Sequence, residues 1–339
     1  MLNILVLPEQ NNSIISASSF LRIINPIKLI MTNINFNFVF SYSTKLIYDE
    51  IKGYDYIVLN RYSMLQENIS DNLKWLDILS RFKGKVIYDI DDHLFAIPKD
   101  HPDYNVLNPK SQFIEMYLER ADFILVSNTF LQNEIQSFLQ FNSINSKITV
   151  RSPYLSDFKN IDLPFFSHKI FNPLHQLSIL ELYLDIFKLE SVNSIVSRVN
   201  VPTLNLKIFG HLIGNFDNSQ YHLSPMPVIS DYHKFLFSFY LKSNAFTFLV
   251  PRDKNVFDYG HSDIKKFQII SSHSIFVENS MLDDDQLLLN LRNSLVGDND
   301  KSSRIYVIEL FKKMHNAYLL ENEERKRIDL EIFQTILPS

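Results

Sequence analysis

The chain has no cysteine among its 339 residues. Disulfides, thiolate metal sites and a cysteine nucleophile are therefore excluded, which suits a reducing cytoplasm. Glycine is scarce, with 6 in the chain, so a phosphate-cradling loop built on several glycines is absent. No run approaches the roughly 20 apolar residues that span a bilayer. The start, Met1-Leu-Asn-Ile-Leu-Val-Leu-Pro8, lacks the basic region and long apolar core of a signal peptide and reads as a buried first strand. A net charge of −5 offers no global attraction to nucleic acid or anionic membrane, and no basic stripe with interleaved aromatics stands out. Gly-x-Ser-x-Gly and His-Glu-x-x-His are missing too, leaving serine-hydrolase and zinc-enzyme readings without support.

The length suits two domains, and 46% hydrophobic with 21% charged residues marks a folded globular protein. Short apolar runs alternate with amphipathic stretches, the pattern of α/β units with parallel strands. Strands are expected at Asn3–Leu7, Phe36–Phe40, Tyr56–Leu59, Lys85–Tyr88, Phe123–Val126 and Lys147–Val150, with helices at Asp71–Phe82 and Thr129–Leu139. A proline-marked break at Arg151–His168 reads as an inter-domain linker. Beyond it, strands are expected at His168–Phe171, Asn205–Phe209, Met226–Ile229, Phe246–Val250 and Ser274–Val277. The expected helices there are His175–Phe187, Tyr232–Lys242, Ile264–Ser271 and Asp284–Leu295, and the tail Ser303–Leu337 is helical by pattern. The fold class is thus α/β, with two Rossmann-like domains facing each other across a cleft at the carboxyl ends of their strands.

The segment Val86-Ile-Tyr-Asp-Ile-Asp-Asp-His-Leu-Phe95 places Asp89, Asp91 and Asp92 at a strand end, where an open α/β sheet presents polar groups. Clustered carboxylates suit Mg²⁺ or Mn²⁺. A strand ending in Asp-x-Asp also opens dehalogenase-like phosphatases, but His93 stands where that family has Thr or Val. The carboxylates could instead cap the next helix or pair with Lys and Arg.

The same segment, continuing through Pro98 to His101-Pro-Asp-Tyr104, resembles a signature of bacterial GT-B glycosyltransferases of the retaining, group-1-like kind. The resemblance extends along most of the chain. Phe20-Leu-Arg-Ile-Ile-Asn-Pro26 is similar to a first-helix segment in which Arg22 would meet acceptor or phosphate, and Tyr56-Ile-Val-Leu-Asn-Arg61 to a strand ending in a cleft Arg. Ala121–Asn128, Leu206–Gly210 and Phe171–Gln176 also resemble family segments, the last keeping His175 without the usual glycine. Phe248–Phe257 with His261–Gln268 is similar to the segment that holds the donor diphosphate.

The resemblance implies transfer of a sugar from a nucleotide-sugar donor to a glycan, lipid-linked glycan or protein acceptor hydroxyl, metal-independent, as in polysaccharide biosynthesis. Asp89, Asp91 and Asp92 would be catalytic; Arg252, His261, Ser262, Lys265 and Gln268 would bind donor; Arg22, Arg61 and His175 would line the acceptor side or cleft. No metal or cofactor is implied beyond the donor substrate, whose base is open. Residues 1–160 would form the acceptor domain, 161–302 the donor domain, and 303–339 C-terminal helices of which the last crosses back. Location would be cytoplasmic, with peripheral contact at the inner membrane face left open, and no nucleic-acid partner is expected. Two departures stand out: His261 replaces a Lys and Gln268 replaces a Glu, the latter keeping hydrogen bonding but losing charge. They motivate an alternative, a degenerate GT-B subunit that binds glycan or supports an active protein partner.

Overall fold

The computed structural model describes residues 1–11, 14–31, 35–99, 101, 104–155, 179–200, 205–213, 222–225, 234, 246–249, 264–272, 274–296 and 301–337. The chain divides into two compact units. Unit 1 gathers Met1–Ser156 with Asp253–Ser262 and Glu323–Ser339, and unit 2 gathers Asp157–Arg252 with Asp263–Asn322.

Unit 1 is built on a six-stranded parallel sheet. Its strands are β1 (Leu2–Leu7), β4 (Phe36–Phe40), β5 (Tyr56–Asn60), β6 (Lys85–Ile90), β7 (Phe123–Val126) and β8 (Lys147–Val150), in the spatial order β4-β1-β5-β6-β7-β8. A two-residue ribbon, β2 (Gln10–Asn11) with β3 (Ile14–Ile15), follows β1. Both faces of the sheet are covered, so its strands are apolar on both sides. Leu5, Leu7, Ile57, Leu59, Val86 and Tyr88 pack on one face against α3 (Tyr48–Ile51), α4 (Ile69–Arg81), α5 (Tyr104–Arg120) and α6 (Thr129–Phe141). The residues of opposite parity, Ile4, Val6, Val58, Ile87 and Leu125, pack with Ile23, Ile27, Ile30, Phe333, Ile336 and Leu337. The second layer therefore joins an N-terminal helical segment to the end of the chain.

That N-terminal segment is irregular for a physical reason. It runs as α1 (Ala17–Ser19), a π-helical stretch at Phe20–Ile24, then α2 (Asn25–Ile30). Pro26 has no N–H to donate, and the ladder widens just before it, with the Asn25 N–H reaching back to the Phe20 carbonyl. Elsewhere the helix starts follow ordinary capping: the side chain of Asn68 accepts from the Ser70 N–H, and that of Asn128 from the Leu131 N–H.

Unit 2 carries a five-stranded parallel sheet of β9 (Ile179–Lys188), β10 (Asn205–Ile213), β11 (His222–Pro225), β12 (Phe246–Leu249) and β13 (Ile275–Val277), in the order β11-β10-β9-β12-β13. Its α-helices among the described residues are α7 (Leu189–Val199), α8 (Ile264–Ser271), α9 (Asp285–Val296) and the first part of α10 (Lys301–Ile336), which continues into unit 1 after Asn322.

The helix expected at His175–Phe187 is corrected: Ile179–Lys188 is the central strand β9. Leu180, Leu182, Leu184 and Ile186 recur at period two with Glu181 and Asp185 between them. The helical reading followed the helix propensity of Leu and Glu and overlooked that alternation. Helix α5 has no counterpart among the expected elements; Pro109 lies inside it, and Phe113, Ile114, Tyr117 and Leu118 make its buried stripe. Arg151–Leu155, read as the start of a linker, is irregular but packed into unit 1, with Arg151, Tyr154 and Leu155 buried. The strands expected at His168–Phe171 and Met226–Ile229 lie outside the described residues, as does the helix Tyr232–Lys242 save for Lys234.

Candidate functional site

In unit 1 the chain leaves β1 toward β4 on one side and returns to β5 on the other. The point between β1 and β5 is the topological switch of the sheet, where open α/β folds hold ligands at the carboxyl ends of their strands. Four charged side chains gather there: Glu9 after β1, Arg61 after β5, and Asp91 and Asp92 after β6. The Arg61 guanidinium stands among the three carboxylates, with Nη2 3.0 Å from Asp92 Oδ2 and Nε 3.4 Å from Asp91 Oδ1 and 3.7 Å from Glu9 Oε2.

The backbone at Arg61 is unusual. Its φ of 49° lies in the left-handed region that non-glycine residues seldom occupy. Two bonds hold it there: the Arg61 N–H donates to the Asp89 carbonyl at 2.9 Å, and Tyr88 Oη donates to the Arg61 carbonyl at 3.0 Å. Strain fixed in this way is often found at functional sites.

Asp91 is the least comfortable member. Its Oδ2 accepts a 2.6 Å hydrogen bond from Ser18 Oγ on α1, whereas Oδ1 has no hydrogen-bond partner. Burial, followed by the negative charge of Asp92, pushes its carboxyl up to about 6, against the pull of Arg61, Arg22 and the Ser18 bond. A guanidinium already fills the centre of the carboxylates, and among the described residues no group of three or more acidic or histidine side chains is disposed to hold a metal.

Asp89 is different. Within β6 it shares the parity of Ile87, so it points to the face covered by the π-helical segment and the end of α10. It is fully buried and saturated: Arg22 donates from Nε to Oδ1 and from Nη2 to Oδ2, both at 2.7 Å. Asn60 Nδ2 adds a bond to Oδ1 at 2.9 Å and Arg151 Nη1 one to Oδ2 at 3.1 Å. Arg22 Nη1 donates to the Arg151 carbonyl at 2.7 Å, so each of its three side-chain nitrogens has a partner inside the unit. Arg151 in turn pairs with Asp329 of α10.

No protein-family model and no curated protein matches the chain. Solved structures do. An α-glucosyltransferase in complex with UDP and a 13-mer DNA containing an HMU base has a TM-score of 0.52 at 9% identity, over 96% of this chain and 94% of its own. Sucrose-phosphate synthase from Thermosynechococcus elongatus has a TM-score of 0.51 at 9% identity, over 96% of this chain and 99% of its own. The chain has the GT-B fold.

On this GT-B chain the sequence-derived site residues fall into three sets. Arg61, Asp91 and Asp92 come together at the switch point of unit 1, while Asp89 and Arg22 sit beneath them in the core. Lys265 and Gln268 lie on α8 of unit 2, both mostly buried, with Lys265 in the first turn, where the positive helix end favours an anion. Arg252, His261, Ser262 and His175 lie outside the described residues.

The sequence reading missed Glu9, Ser18, Asn60, Arg151 and Asp329. Glu9 lies two residues beyond the end of β1 and Arg151 directly follows β8, so the rule that singled out Asp91 would have found them. Asp329 carries no such signal, since it reaches the site from a helix 178 residues beyond Arg151.

Proposed function

We propose that the chain is a glycosyltransferase that moves a sugar from a nucleotide-sugar donor to a hydroxyl of a glycan, lipid-linked glycan or protein acceptor. The observation that carries the reading is the strained, unsaturated Arg61–Asp91–Asp92 group at the switch point of unit 1 in a chain with the GT-B fold. In the reaction the bond from the sugar's anomeric carbon to the diphosphate breaks and a bond to the acceptor oxygen forms. Asp91 orients the acceptor hydroxyl by accepting its hydrogen bond. A carboxyl that titrates near 6 is ionised at neutral pH yet more basic than an ordinary Asp, as that task requires. Arg61 keeps Asp91 and Asp92 apart and in place. Asp89 and Arg22 act beneath them as supports, which replaces the direct roles the sequence suggested for both.

Lys265 and Arg252, which belong to unit 2, together with His261 and Ser262 would stabilise the leaving diphosphate, and no metal is required. The α-glucosyltransferase of the same fold was solved in complex with UDP, which makes UDP-sugars the first donors to try. Retention of configuration follows the resemblance noted above. Gln268, mostly buried on α8 where the family pattern has Glu, favours a second reading: a degenerate subunit that binds glycan or supports an active partner.

Thermal shift with a panel of nucleotide sugars, UDP and GDP separates the two. Stabilisation by at least one donor at millimolar concentration is the expected result. No response to any of them overturns the transferase reading in favour of the subunit.

A further inference from the structure

One carboxylate cannot balance two guanidiniums. Asp89 faces both Arg22 and Arg151, and what neutralises the set is Asp329, which meets Arg151 Nε through Oδ1 and Arg151 Nη2 through Oδ2 at 3.4 Å. The four alternate in charge as Arg22–Asp89–Arg151–Asp329, and each is at most 3% exposed. In such surroundings a lone charge is costly, so each member holds the next.

Asp329 belongs to the last stretch of α10, and other contacts dock that stretch beside Asp89. Arg325 Nη1 donates to the Pro153 carbonyl at 2.9 Å, and Tyr56 Oη donates to the Ile336 carbonyl at 3.2 Å. The Arg151 guanidinium lies 5.0 Å over the Phe333 ring. At the other end of the relay, Asp89 is two residues before Asp91 in the sequence, and its own carbonyl receives the Arg61 N–H. A movement or charge change at Asp89 is therefore felt by Asp91 and Arg61 together.

We infer that Arg151 and Asp329 are positioning residues for the acidic turn, setting through Asp89 the placement and electrostatic surroundings of Asp91 and Arg61. The end of α10 is then a working part of the acceptor-side site rather than a cover for the sheet. This rests on the proposed role of Asp91, and its test is chosen not to require turnover.

The full-length chain is labelled with carboxyl-¹³C aspartate, and the Asp91 resonance, identified by its loss in Asp91→Asn, is titrated. The groups facing Asp91 are Ser18 from α1, Arg22 from the π-helical segment, Arg61 after β5 and the neighbouring Asp92. Asp329→Asn removes a negative charge, leaves Arg151 uncompensated and lowers the Asp91 midpoint by about half a pH unit. Arg151→Gln leaves Asp329 uncompensated and raises it by a similar amount. The double variant Arg151→Gln/Asp329→Asn is neutral again and returns the midpoint to the wild-type value, as does the charge-keeping Asp329→Glu.

A purely structural role lowers the melting temperature of the single variants without moving the midpoint, or moves it the same way in both; either result overturns the inference. If Asp329→Asn does not fold, the raised midpoint of Arg151→Gln and its return to the wild-type value in the double variant still decide the matter. A chain that binds no nucleotide sugar yet shows the opposed shifts loses the transferase reading and keeps the relay.

Discussion

Two ionic sets meet at the end of β6, both made of arginines and carboxylates and balanced in opposite ways. In Arg22–Asp89–Arg151–Asp329 the charges cancel, Asp89 receives four side-chain hydrogen bonds, and nothing is left for a ligand. In Glu9–Arg61–Asp91–Asp92 three carboxylates share one guanidinium, an Asp91 oxygen lacks a hydrogen bond, and the backbone at Arg61 is strained. The contrast separates scaffold from chemistry within a stretch of four residues. A saturated buried network specifies position, whereas an unsaturated one retains the capacity to bind.

The sharpest way to break this comparison is Asp89→Ala. It leaves Arg22 and Arg151 buried without their shared partner, at an expected cost of about 3–5 kcal/mol. Denaturant unfolding followed by fluorescence of Trp75, the chain's single tryptophan and buried in unit 1, measures it. A loss below about 1 kcal/mol would mean the balanced set is no more structural than the other.

Asp91→Asn should behave in the opposite sense. Transfer is expected to fall by about 100-fold with donor binding kept. Stability should change in a pH-dependent way whose sign follows from the raised carboxyl. Asp91 titrates near 6 when folded against 3.8 ordinarily, so between those values the folded chain binds more protons than the unfolded one. Its contribution to stability therefore falls as pH rises from about 4 to about 6 and stays low above. The difference in melting temperature between Asp91→Asn and wild type should grow in favour of the variant over that window, read by paired melts at pH 4.5 and 8. A constant difference would return Asp91 to the scaffold.

The smallest effect is expected where ion pairs are exposed. Arg327 bonds Glu324 and Glu331 along the outer face of α10, with all three side chains more than half exposed. Glu324→Ala should leave the melting temperature unchanged within error, because solvent and salt already screen such pairs. A clear drop would show that the end of α10 is held from its outer face as well as through Asp329.

Much of unit 1 could be read from residues alone. Leu2–Leu7, Tyr56–Asn60 and Phe123–Val126 form close to where the apolar runs place them, because a doubly covered parallel strand is largely apolar along its length. The acidic turn was legible for a related reason, since polar residues closing such a run mark the carboxyl end of the strand. What misled was local. Leu and Glu in Ile179–Lys188 favour a helix taken singly, whereas their period-two alternation and the pairing of β9 with β10 and β12 belong to a strand.

Division of labour within the turn was beyond the sequence. Asp89, Asp91 and Asp92 are chemically alike, and their spacing says only that Asp89 and Asp91 share a parity. Sequence alone determined that three carboxylates would stand at the end of one strand in an α/β chain. Tertiary structure decided which is neutralised in the core and which is left strained and titratable. The reason is that charge balance in a buried site depends on partners brought from elsewhere: Arg22 from 67 residues before Asp89, and Asp329 from 178 residues beyond Arg151.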